Sequence, residues 1–136
     1  MLTVNSSNGE IINSKDVNIH DYIFDTLLFI RDEKKIHLSL KPENPCIEKR
    51  YSVDFIDVIG YEMTCCDFWG RSPYIFDFEY VEEQEQTVIP KLFNTKEVTD
   101  FPYCFLKNKN DYIETVITFT SGDRLRIACE SIFLSI

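Results

Sequence analysis

Apolar side chains recur at every second position through most of this chain, the signature of half-buried β-strands. Ile36, Leu38 and Leu40 alternate with Lys35, His37 and Ser39. From Tyr51 to Cys65 the odd positions carry Tyr51, Val53, Phe55, Ile59, Tyr61 and Met63, with Asp57 interrupting the row. Ile56 and Val58 make the middle of this run apolar on both faces, which predicts a central strand or one bulged near Gly60. Tyr74, Phe76, Phe78 and Tyr80 form a further alternating row. Near the end, Ile113, Thr115, Ile117 and Phe119, then Leu125, Ile127 and Cys129, flank Ser121-Gly122-Asp123. Glycine supplies the positive φ of a tight turn, so these two runs are read as a hairpin.

Two segments fit more than one pattern. Ile19, Tyr22, Ile23, Thr26, Leu27 and Ile30 have helical spacing, yet Phe24 to Ile30 is also strand-like. A strand is preferred, turning through Arg31-Asp32-Glu33-Lys34 into the run at Ile36, because short apolar runs are not resolved by period alone. Glu82 to Phe93 can hold a short helix only if Pro90 sits in its first turn. The sum is an all-β or β-rich α+β chain, an antiparallel sandwich or partly open barrel with at most one or two short helices. Its 136 residues make one domain, 1–136, with 1–18 expected as a peripheral N-terminal segment.

The charge narrows the partners. Fourteen Lys and Arg against 23 Asp and Glu leave −9, which argues against direct nucleic-acid binding, since phosphate backbones are held by cations. A basic protein partner suits it better. The N-terminus has neither the basic start nor the apolar stretch of a signal peptide, and no run approaches a membrane helix, so the expected location is the cytoplasm and no membrane contact is expected. Cys46, Cys65, Cys66, Cys104 and Cys129 are odd in number and irregularly spaced. They are expected as reduced, mostly buried thiols.

Catalytic signatures are absent: no G-x-S-x-G, no Walker loop, no G-x-G-x-x-G, no H-E-x-x-H. His20-Asp21 could be a base with its orienting carboxylate, but adjacent residues seldom point the right way, and a turn or cap suits Asp21 better. His37 belongs on the polar side of its strand. Cys65 and Cys66 would face opposite sides of a strand, so a shared zinc is not expected. No catalytic residue, metal or cofactor is therefore assigned. The run Glu79-Tyr80-Val81-Glu82-Glu83-Gln84-Glu85 reads first as a solvated acidic face and second as a patch steering a cationic partner. In Asp67-Phe68-Trp69-Gly70-Arg71-Ser72-Pro73 the chain's one tryptophan either plugs an end of the sandwich or anchors an interface.

The order of these motifs has a counterpart. His20-Asp21, two short strands, Asp67-Phe68-Trp69-Gly70, Pro90-Lys91-Leu92-Phe93, Ser121-Gly122-Asp123-Arg124-Leu125 and Cys129-Glu130 together resemble small uncharacterised bacterial proteins of the immunity-protein type, encoded beside toxins. The resemblance spans residues 19–132 and brings no catalytic residues with it. It implies a non-enzymatic cytoplasmic protein that binds and silences a cognate toxin. The candidate contacts, taken from the residues above, are Asp67, Trp69, Arg71, Glu79, Glu82, Glu83 and Glu85. The alternatives are a small-molecule binder whose barrel interior is lined by Phe and Tyr and, third, a hydrolase.

Overall fold

The alternating runs become β2 (Ile23–Ile30), β3 (Lys35–Lys41), β4 (Tyr51–Met63), β5 (Ile75–Tyr80), β6 (Ile113–Phe119) and β7 (Arg124–Ser135), preceded by a short β1 (Leu2–Asn5). A helix, α1 (Val88–Asn94), lies between β5 and β6. This computed structural model describes residues 1–14, 17–44, 46, 50–64, 74–94, 106 and 108–135. The strands form one antiparallel sheet in the order β2-β3-β4-β7-β6-β5. β7 is long enough to hold β6 along Arg124–Cys129 and β1 along Ser131–Leu134 of the same edge. Residues 1–18, expected at the periphery, are thus partly built into the sheet: Val4 and Ile12 are buried in its core.

The sheet curls until its two edge strands touch. Ile23 and Tyr74 form an isolated bridge, Asp21 N–H donates to the Ile75 carbonyl at 2.9 Å, and Ile75 N–H donates to the Tyr22 carbonyl at 2.9 Å. Ring pairs between strands that are not neighbours, Phe24 with Phe119 at 5.6 Å and Phe55 with Phe78 at 6.4 Å, span the interior. Leu38, Val53, Phe55, Ile117 and Ile132, all wholly buried, fill it. This is a partly closed barrel whose described interior side chains pack into one core.

β4 shows how local geometry redirects the sequence pattern. Phe55 faces the core opposite Ile132, and Val58 faces it opposite Cys129, so both strands change phase between those pairs. Asp57 takes up the change with φ 53°, a left-handed conformation an aspartate tolerates better than most residues. The register shift between Val58 and Gly60 is the bulge expected from the glycine. Ile59, placed by simple alternation with Phe55, consequently turns to the opposite face and packs against α1. β5 has a comparable shift between Ile75 and Asp77. It buries Ile75 and leaves Phe76 55% exposed, against the alternation that grouped Phe76 with Phe78.

α1 covers the outer side of the sheet with Val88, Ile89, Leu92 and Phe93 against Ile59, Tyr112 and Ala128. Pro90 sits in the first turn, where its missing N–H breaks no helical bond. The β6–β7 hairpin turns at Gly122, whose φ of 91° matches the conformation expected of it. Among the described residues no helix is long and apolar enough to cross a membrane.

Of the cysteines, Cys129 is wholly buried, as expected, whereas Cys46 is exposed; Cys65, Cys66 and Cys104 lie outside the described residues. Burial pushes the Cys129 thiol far above its ordinary value, which suppresses the reactive thiolate. Under native conditions Cys129 should be alkylated at least about 100-fold more slowly than Cys46. Peptide mapping by mass spectrometry after timed labelling would check this, and equal rates would contradict the packing around Cys129.

Candidate functional site

β5 and the turn that follows it carry the acidic residues singled out from the sequence. Phe78 is buried, which pins the strand to the core, while Asp77 and Glu79 lie on its outer side in register with Thr118 and Val116 of β6. The Asp77 side chain raises the pKa of Glu79; burial adds to this, as does the charge of Glu85, while Arg124 opposes it.

Val81 is buried and its N–H donates to the Glu114 carbonyl at 2.9 Å, which turns the chain outward after β5. Glu82, Glu83 and Glu85 then stand exposed on a 3-10 turn, Glu83–Glu85. Glu82 accepts from Gln84 Nε2 at 2.8 Å, and Glu83 meets Lys109 at 3.7 Å with both side chains largely in solvent. Such a pair contributes little. The result is a ridge of Asp77, Glu79, Glu82, Glu83 and Glu85 along one edge of the barrel. Asp67, Trp69 and Arg71 lie outside the described residues.

His20 borders the ridge. With Asn13, Asp77 and Glu79 it lines a cleft of about 220 Å³, and its ring rests 5.8 Å from that of Phe76. Its Nδ1 lies 3.1 Å from Asp21 Oδ2, so the adjacent pair does meet, contrary to the sequence expectation. Asp21 adopts φ 67° in a turn, the role expected of it. Both side chains are more than half exposed, which leaves the pair without the enclosure that strengthens a catalytic base. His37 lies on the outer face of β3 but is paired rather than simply solvated: its Nδ1 is 2.5 Å from Asp54 Oδ1, directly across the β3–β4 ladder.

The residue that sequence reasoning missed is Glu114. It falls on the polar side of an alternating strand, yet its side chain is wholly buried. Oε2 accepts from Thr87 N–H at 3.0 Å and from Arg126 Nη1 at 3.1 Å. Oε1 accepts from Val88 N–H at 2.8 Å and from Ile89 N–H at 3.0 Å. Those are the donors that the start of a helix leaves unpaired, and Pro90 next in line has none to offer. A carboxylate from β6 thus caps α1 from a distance, where the helix dipole also favours negative charge. Glu62 adds a second tie, accepting from Thr87 Oγ1 at 3.1 Å and from Lys91 Nζ. The Lys91 ammonium holds the Glu62 carboxyl below its ordinary value, with Thr87 and Arg126 helping and burial opposing. Only a contact map could reveal these roles, because nothing in the spacing of Glu62, Glu114 and Thr87 marks them as partners.

Among the described residues no group of His, Cys, Asp and Glu converges as a metal site would require. Among the described residues Tyr51, Phe55, Phe78 and Phe119 are core side chains, whereas Phe29 and Tyr61 border an open groove. Comparison with protein-family models and with curated protein sequences finds no match to this chain.

Proposed function

We propose that this chain is a non-enzymatic protein-binding module of the immunity type, which occludes a basic surface of a cognate bacterial toxin. The observation that carries this reading is the acidic ridge at β5 and the turn after it: Asp77 and Glu79 on an edge strand, Glu82, Glu83 and Glu85 at the following 3-10 turn, on a chain of net charge −9. A fixed acidic surface attracts a basic protein over a distance and orients it before contact. β5 is anchored by Ile75 and Phe78 in the core, so the backbone carrying Asp77 and Glu79 is held in place before a partner arrives. The resemblance to immunity-type proteins supports the same assignment.

The test is co-expression with the product of the adjacent gene, followed by co-purification and association kinetics. Rescue from toxicity and a stoichiometric complex are expected, with the association rate falling roughly tenfold or more between about 20 mM and about 500 mM salt. Charge reversal by Glu82→Lys, Glu83→Lys and Glu85→Lys should slow association with little change in fold stability, since all three side chains are exposed. Association that is indifferent to salt and to these changes would overturn the role of the ridge. Turnover of a substrate by the free protein would overturn the non-enzymatic reading.

A further inference from the structure

Among the described residues β2 is an edge strand with little to protect it. It bonds to β3 along one side, and among the described residues the backbone of Asp25 to Ile30 has no partner on the other. Exposed edges are ordinarily blunted by charge, proline or a bulge. Here the register shift between Phe24 and Thr26 and the charge of Asp25 guard only the start. Thr26-Leu27-Leu28-Phe29-Ile30 has no charge, proline or glycine, and Leu28 and Phe29 are about half exposed.

A groove of about 400 Å³ opens beside the far end of this strand. Phe29, Ile36, Val58 and Tyr61 help line it, with the Phe29 and Tyr61 rings 5.0 Å apart, and Arg31 and Lys34 border it. Neither cation has a carboxylate partner among the described residues, and Asp32 and Glu33 of the same turn do not line the groove. Cations without a carboxylate partner among the described residues, beside an apolar floor, stand out on so acidic a chain.

We propose that β2 is a strand-addition site for an extended segment of a partner protein in which apolar and acidic residues alternate. Main-chain bonds to the free edge would supply affinity, the groove would seat an apolar side chain, and Arg31 and Lys34 would select acidic ones. A second copy of this chain fits less well. The one acid on β2, Asp25, is already held by Lys41 at 3.7 Å and Arg50 at 3.1 Å, so another β2 brings no free carboxylate. The net charge also sets two copies against each other.

The probe is a capped decapeptide alternating valine with glutamate, titrated into ¹⁵N-labelled full-length protein and compared with its valine–lysine counterpart. The glutamate peptide should shift the amides of Asp25 to Ile30 and of Tyr61, and protect alternate β2 amides from exchange, while the lysine peptide leaves them unmoved. Arg31→Glu combined with Lys34→Asn, at exposed positions where asparagine suits the left-handed φ of 49° at residue 34, should weaken binding about three- to tenfold. Equal binding of both peptides, shifts confined to other surfaces, no shift at millimolar peptide, or a free protein already dimeric through β2 would each overturn the proposal.

Discussion

Glu114→Ala is expected to remove about 3–5 kcal/mol of folding stability. The side chain is wholly buried and accepts from Thr87, Val88 and Ile89 N–H and from Arg126. Alanine leaves those backbone donors without a partner and takes the carboxylate from a guanidinium only 23% exposed, which among the described residues keeps just the Glu85 carbonyl at 3.5 Å. Each loss carries a desolvation cost that water can repair only in part. A domain of this size has about 5–15 kcal/mol in total, so the variant should melt about 10 °C or more below the parent. Glu114→Gln should fall between the two, since one carboxylate oxygen becomes an amide that faces donors. Denaturant melts of the three proteins check this. A loss under about 1 kcal/mol for alanine would mean that Glu114 does not hold α1 in place.

Gly60→Val is expected to cost about 1–3 kcal/mol and to lift α1 from the sheet. A Cβ built on Gly60 would lie 2.9 Å from Leu92 Cδ1 and 3.1 Å from Val88 Cγ1. Leu92 can swing away from a single methyl group, so Gly60→Ala should be the milder change. Valine adds branches that meet both side chains together, and the clearance under the helix is lost. Amide exchange at Val88 to Asn94 should accelerate more than exchange in β3, because only the helix must move. Uniform acceleration across the molecule would show that α1 and the barrel open as one unit.

Much of the barrel can be read from residue spacing. Alternation locates β3, β4, β6 and β7 because a strand's side chains point to opposite faces in turn, and a buried face must be apolar. Gly122 marks its hairpin for an equally local reason, the φ of 91° that few other residues tolerate. The strand reading of Ile23–Ile30 holds because the run is short and turns directly into β3. The same logic misplaces Ile59 and Phe76, where a left-handed Asp57 and two register shifts reset the phase. Such shifts depend on what the neighbouring strand and α1 demand, and they leave no periodic trace. The expectation of a peripheral N-terminus fails for a related reason: β1 is only four residues long and becomes a strand by pairing with β7.

For the site, charge type was legible and arrangement was not. The glutamates at 79, 82, 83 and 85 are close in sequence, so their common edge follows from local chain geometry. Glu114 and Thr87 are 27 residues apart, and Glu62 and Thr87 are 25 apart. By itself, then, the sequence determined a curled antiparallel sheet, its hairpin and an acidic ridge, because local sterics and the partition of apolar side chains act over a few residues. Only the tertiary structure decided where phases reset, which edge stayed open and which carboxylate was buried beneath the helix, because those outcomes depend on atoms brought together from distant parts of the chain.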